Sequence, residues 1–125
     1  MDRGNLNEAQ ALLKEQELIY RQTGNLNELQ SNLGFQAVIM HSHGDLDGAM
    51  ALDKEKERIC RQTGNIESLA ISLAKRASLL GQQGQAREGV QLAEEAYQLA
   101  SNHGDVALAA QIASLLKALR QDAQK

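Results

Sequence analysis

The sequence predicts an all-α protein, an α-solenoid of about six antiparallel helices arranged as three helical hairpins. Three observations carry that expectation. Proline is absent while Ala and Leu abound, a composition that suits helix interiors. Glycines recur every 20 residues, at Gly4, Gly24, Gly44, Gly64, Gly84 and Gly104. Between them, apolar residues fall in steps of three and four, which is one face of an α-helix.

The flanks of the glycines recur at longer spacing. Arg21-Gln22-Thr23-Gly24-Asn25 returns as Arg61-Gln62-Thr63-Gly64-Asn65, and His43-Gly44-Asp45 returns as His103-Gly104-Asp105. Residues 3–26 laid over 43–66 share 14 identities in 24 positions. The chain is therefore an array with a 40-residue unit made of two 20-residue halves. At 125 residues it reads as a single domain with units at about 4–43, 44–83 and 84–123.

Each half reads as one helix. The glycine suits a left-handed C′ position. The residue after it, Asn5, Asn25, Asp45, Asn65 or Asp105, suits an N-cap, and Gln85 is the weak cap of the set. Asn5 with Glu8, and Asn25 with Glu28, have capping-box spacing. The helices are expected over 5–22, 25–42, 45–62, 65–82, 85–102 and 105–122, each about 27 Å long.

The stripes follow in order. The first helix offers Leu6, Ala9, Leu12, Leu13 and Ile19, and the second Leu26, Leu29, Leu33, Ala37 and Met40. The third is thin: Leu46, Ala49, Leu52, Ile59 and Cys60 are interrupted by the charged run Asp53 to Arg58. The fourth offers Leu69, Leu73, Ala77 and Leu80, and the fifth Ala86, Val90, Ala93, Ala96 and Ala100. The sixth offers Leu108, Ile112, Leu115, Leu116 and Leu119. So many alanines let helices approach closely.

Composition also excludes function classes. No apolar run reaches the roughly 18 residues of a membrane span, and the polar start Met1-Asp2-Arg3-Gly4-Asn5 is no signal peptide. A single cysteine forms no internal disulfide. These features together suggest a cytoplasmic setting. Net charge is −3, and the only aromatics are Tyr20, Phe35 and Tyr97. Neither a basic footprint nor a stacking platform for nucleic acid is present. No phosphate loop, nucleophile elbow or HExxH motif occurs, so no enzyme and no cofactor are expected.

At Gly44-Asp45-Leu46-Asp47-Gly48-Ala49 and Gly4-Asn5-Leu6-Asn7-Glu8-Ala9 the chain resembles the turn and second-helix start of a tetratricopeptide repeat (TPR). Leu33, Ala37 and Met40 ahead of Gly44, and Leu73, Ala77 and Leu80 ahead of Gly84, fit the family's large–small–large first helix. The resemblance covers nearly the whole chain. Its unit is longer than the usual 34 residues and similar to the extended repeats of kinesin light chains and bacterial TPR arrays. The family's closing proline is missing, and Gly89 and Ala93 stand where an alanine and an aromatic are usual.

The resemblance implies protein binding. First-type helices would line a concave groove with Ser31, Gly34, Phe35, Val38 and His41 from the second helix. The fourth would add Ile71, Ala74, Lys75 and Ser78, and the last Gln111, Ser114 and Ala118. Gly34, Val38, Ala74 and Ser78 stand where some members clamp a carboxylate with Lys, Asn and Arg. No such clamp, and no preference for acidic or phosphorylated peptides, is expected. Phe35 is either an interface anchor or a core packer.

In this register the chain begins on a second-type helix and ends on a first-type one, so it reads as part of a longer array, or as a minimal or engineered one. Open ends invite self-association through Leu6, Leu12, Leu13 and Ile19 at one end, and Leu115, Leu116 and Leu119 at the other. A homo-oligomer is thus the alternative to a groove-binding module. Three smaller features have plain readings. His41, His43 and Asp45 lack a fourth metal ligand and suit a helix end better. Cys60 reads as a buried small hydrophobe, with mild reactivity from Arg58 and Arg61 as the alternative. The run 53–58 reads as a solvated face of i, i+3 ion pairs, Asp53–Lys56, Lys54–Glu57 and Glu55–Arg58, or with Asp53 as a polar contact for a partner.

Overall fold

The computed structural model describes residues 3–125; Met1 and Asp2 of the polar start lie outside them. Six helices follow one another: α1 (Arg3–Thr23), α2 (Leu26–Ser42), α3 (Leu46–Thr63), α4 (Ile66–Gln82), α5 (Ala86–Asn102) and α6 (Val106–Ala123). No strand occurs among the described residues. The chain divides into two compact units, residues 1–63 with α1–α3 and residues 64–125 with α4–α6. The compact unit thus holds three helices, where the sequence repeat holds two. Within each unit consecutive helices pack together, and α4 also touches α6.

The connections explain the helix boundaries. Gly24, Gly44, Gly64, Gly84 and Gly104 all have φ between 71° and 83°, a region costly for residues with a Cβ. With the helix end wrapped this way, Asn25, Asp45, Gln85 and Asp105 donate their N–H back to the last turn. Asn25 bonds the Tyr20 carbonyl at 3.0 Å, Asp45 bonds Met40 at 2.9 Å, and Asp105 bonds Ala100 at 3.0 Å. Gly44 and Gly104 donate to His41 and Ser101, which completes the Schellman pattern. The same residue then opens the next helix. Side-chain oxygens of Asn25, Asp45, Asn65 and Asp105 accept the N–H of Glu28, Gly48, Ser68 and Leu108 at 2.8–3.3 Å. One residue closes one helix and caps the next, so no longer loop is needed.

Two caps differ from expectation. α1 is already helical at Arg3, so Gly4 and Asn5 lie inside it, and Gly4 is not a left-handed C′ residue. No helix precedes them among the described residues, so there is none for Gly4 to terminate. At Asn25 only the forward half of the capping box has its donor. The Asn25 N–H that Glu28 would receive is taken by Tyr20. Gln85 makes no side-chain cap bond, as its chemistry implies.

The cores use the predicted stripes. In the first unit Leu29, Leu33 and Ile59 are buried, with Tyr20, Leu26 and Leu52 against them. In the second, Ala77, Ala86, Ala93, Leu116 and Leu119 form the interior. Its small residues bring backbones together. A Cβ on Gly89 would stand 2.8 Å from the Ala77 carbonyl oxygen, so the glycine that departs from the repeat pattern is what lets α5 lie close on α4. The charged run 53–58 is not the solvated face expected: Asp53, Lys56 and Glu57 are buried, and all three are partnered. α3 follows α2 closely enough to enclose this stretch, whose long stems contribute apolar area.

Two stability changes should follow. Gln85→Asn supplies the missing cap and should raise unfolding free energy by about 0.5–1 kcal/mol. Gly89→Ala, though favoured by helix propensity, should lower it by about 1–3 kcal/mol through the clash with Ala77. Urea unfolding followed by circular dichroism reads both.

Candidate functional site

Two faces of the first unit expose large apolar side chains: that of α1 with Leu12, Leu18 and Ile19, and the outward face of α2 with Phe35 and Val38. Leu29 and Leu33 turn α2 toward α3. Asn32 and Gln36, one turn apart, turn it toward α1: Asn32 Nδ2 donates to the Leu13 carbonyl at 2.9 Å, and Gln36 Nε2 donates to Glu17 Oε1 at 2.8 Å. Gln36 also donates to Asn32 Oδ1. Both amides are nearly fully buried, and buried amides are tolerated only when bonded in this way. With two sides engaged, the third presents Ser31, Phe35, Val38 and His41 to solvent. Phe35 is 64% and Val38 53% exposed.

Glu17 ties this arrangement together. It accepts from Gln36 on α2 and from Arg21 on its own helix, at 2.8 Å each. Arg21 reaches on to Glu55 of α3 with two contacts of 2.9 and 3.0 Å. Glu55 is therefore paired with Arg21 across helices. Partial burial works against the Glu17 charge, but the bonds from Gln36 and Arg21 outweigh it and lower its pKa. Arg21 is held further above its ordinary value by Glu55 and Glu17. On the other side of α2, Cys60 is buried, with its Sγ 3.6 Å from Gln30 Oε1, and burial pushes the thiol up. That environment stabilises the thiol and not the reactive thiolate.

Other residues proposed from sequence fall in various places. Gly34 is buried; the space where a Cβ would stand is occupied by Lys56, whose Nζ would be 2.9 Å away. It makes room for Lys56 and does not reach the outward face. In the second unit Ile71, Ala74 and Ser78 are half-buried, while Lys75, Gln111, Ser114 and Ala118 are exposed. His41, His43 and Asp45 are exposed, and no metal-holding group of three or more His, Cys, Asp or Glu occurs among the described residues. No described helix is long and apolar enough to cross a membrane.

The expected end seams divide. On α1, Leu12 and Ile19 are 61% and 55% exposed, and Leu6 and Leu13 are half-buried. On α6 the seam is internal. Leu116 and Leu119 are buried among Ala77, Ala86 and Ala93, with Leu115 packed at their edge, because α6 lies against α4 as well as α5. What α6 exposes instead is Val106, Ala110, Ala113 and Lys117. Periodicity marks both faces of that helix as apolar or small, and only packing shows which is covered. The buried amides Gln30, Asn32 and Gln36 escaped a reading based on apolar steps, although the i, i+4 pairing of Asn32 with Gln36 was a visible signal.

No protein-family model matches this sequence, and no curated protein matches it significantly.

The Glu17 network sets a pH dependence. A lowered carboxylate pKa contributes stability above the ordinary glutamate range and loses it as pH falls through the folded value. Wild type should therefore melt above Glu17→Gln at neutral pH, with the gap closing on acidification. Thermal midpoints of the two proteins across a pH series check this.

Proposed function

We propose that the chain is a non-enzymatic interaction module, a helical-repeat protein of the TPR kind, that binds a segment of another protein. The observation that carries this reading is Phe35, a large aromatic left 64% exposed beside Val38 at 53% on a helix locked on both flanks. Exposed aromatics on a rigid support are the usual anchors of binding energy. Ser31, His41 and Ser42 border the pair and supply hydrogen-bonding groups.

The chemistry favours an apolar or neutral segment. Gly34 is buried and Val38 is apolar, so α2 offers no lysine or arginine for a terminal carboxylate or a phosphate. Lys75 is the exposed cation among the residues of α4 considered for binding, and a single surface lysine gives little specificity. A reducing compartment such as the cytoplasm suits the unpaired Cys60 thiol. Partners are expected to be proteins or peptides, with no part for nucleic acid, membrane or metal.

Selection of a randomised peptide library against the intact chain tests this. Enriched sequences should carry an apolar side chain and bind in the micromolar range typical of small interfaces. Phe35→Ala should weaken them at least about tenfold, and Val38→Glu more, with helicity unchanged. Peptides held equally well by Phe35→Ala would remove the basis for the reading.

A further inference from the structure

We infer that the chain associates with copies of itself head to tail, the open face of α1 on one copy seating against the open face of α6 on the next. This surface is separate from the outward face of α2, so neither proposal stands or falls with the other. The argument comes from the internal repeat. α1 and α3 share most of their sequence at a spacing of 40, and the face of α3 that packs on α2 is known. Ile59 lies against Leu29 and Leu33, Lys56 lies over Gly34, and Met40 reaches Gly48. Shifted back by 40, these α3 positions are Ile19, Gln16 and Glu8, and Leu52 becomes Leu12. All four are exposed. α1 therefore carries the face that α3 uses, and among the described residues that face is exposed.

The complementary face is found by shifting α2 forward by 80 onto α6. Leu26, Gln30, Leu33, Gly34 and Met40 become Val106, Ala110, Ala113, Ser114 and Arg120, and all of these are exposed, while Ala109, at the position of Leu29, is buried at the floor of a cleft beside them. The two faces also match in chemistry. Where Met40 meets Gly48 inside the chain, Arg120 would meet Glu8, a cation with a carboxylate. Where Lys56 covers Gly34, Gln16 would meet Ser114, two neutral hydrogen-bonding groups. Where α2 has Leu33, α6 has the smaller Ala113, and the space remains open. A cleft of about 350 Å³ lined by Tyr97, Val106, Ala109, Ala110 and Ala113 lies there. Ile19 and Leu12 are the side chains that this register brings to it.

One position departs from the pattern. Lys117 replaces the buried Ala37, and its stem must run along α1, which brings a second cation toward the acidic face of Glu8 and Glu15. Arg120 is paired with Glu94 at 3.1 Å, with both side chains about half exposed, so it remains available to a second carboxylate. The two faces are different surfaces, so the contact is heterologous and a copy joined at one end keeps the other end free.

Two end-blocked variants test this. Ile19→Glu blocks α1 and Ala113→Glu blocks α6; both residues are exposed, so circular dichroism should show an unchanged fold. By light scattering the wild-type mass should rise with concentration beyond two chains of 13.6 kDa. Each variant alone should associate at least about tenfold more weakly. Mixed one to one, they should form a dimer that grows no further, since each supplies the face the other lacks. Glu8→Arg should weaken wild-type growth, and adding Arg120→Glu in the same chain should restore it. A wild type that stays monomeric at millimolar concentration overturns the inference. So does a closed dimer indifferent to Ala113→Glu, or a mixture that remains monomeric while the wild type assembles.

Discussion

Everything in this molecule depends on a turn in which one residue serves two helices. A helix end leaves unpaired carbonyls, and a helix start leaves unpaired N–H groups. Ordinarily these are satisfied by different residues across a loop. Here a left-handed glycine folds the chain back sharply. The next residue gives its N–H to the helix behind, and its side-chain oxygen takes an N–H from the helix ahead. The connection is therefore as short as a helical hairpin allows, and neighbouring helices within each unit must run antiparallel. The 20-residue spacing of glycines is the imprint of that geometry.

This is why the boundaries were legible. The turn demands particular residue types for conformational and hydrogen-bonding reasons, and those types stand out at fixed spacing. Gly4 and Asn5 carry the same signature, yet they lie within α1, since the pattern acts only where a helix has to end. The charged run of α3 failed differently. Charge suggested solvent, but Asp53, Lys56 and Glu57 are buried, and only packing against neighbours decides whether a charged helix face is enclosed. Phe35 was undecided because burial of a lone aromatic depends on whether a helix covers it. Its place off the Leu29–Leu33–Ala37 line was the available clue.

Packing in the two units rests on different chemistry. The first unit locks α2 with amides and an ion network around Glu17, alongside its leucines. Such polar locks fix register more than they add stability. The second unit mixes leucines such as Leu73, Leu116 and Leu119 with alanines and Gly89, with backbones near contact at Gly89 and Ala77. Close packing of small residues gives little side-chain freedom to lose, but tolerates little added volume. A helix held by directional bonds keeps its exposed side chains in one orientation.

The shared turn also bears on how the molecule opens. In most helical proteins a terminal turn frays by itself, because its cap belongs to it alone. Here, unwinding the last turn of α2 releases the backbone of Asp45, whose side chain holds the first turn of α3. Fraying at one end therefore loosens the start of the next helix, and opening crosses the turns capped by Asn25, Asp45 and Asp105 as a single event. The smallest piece that can come undone is a junction with its two flanking turns. Amide protection on either side of Gly24, Gly44 and Gly104 should accordingly rise and fall together, whereas at Gly84, where Gln85 supplies no cap, it should not.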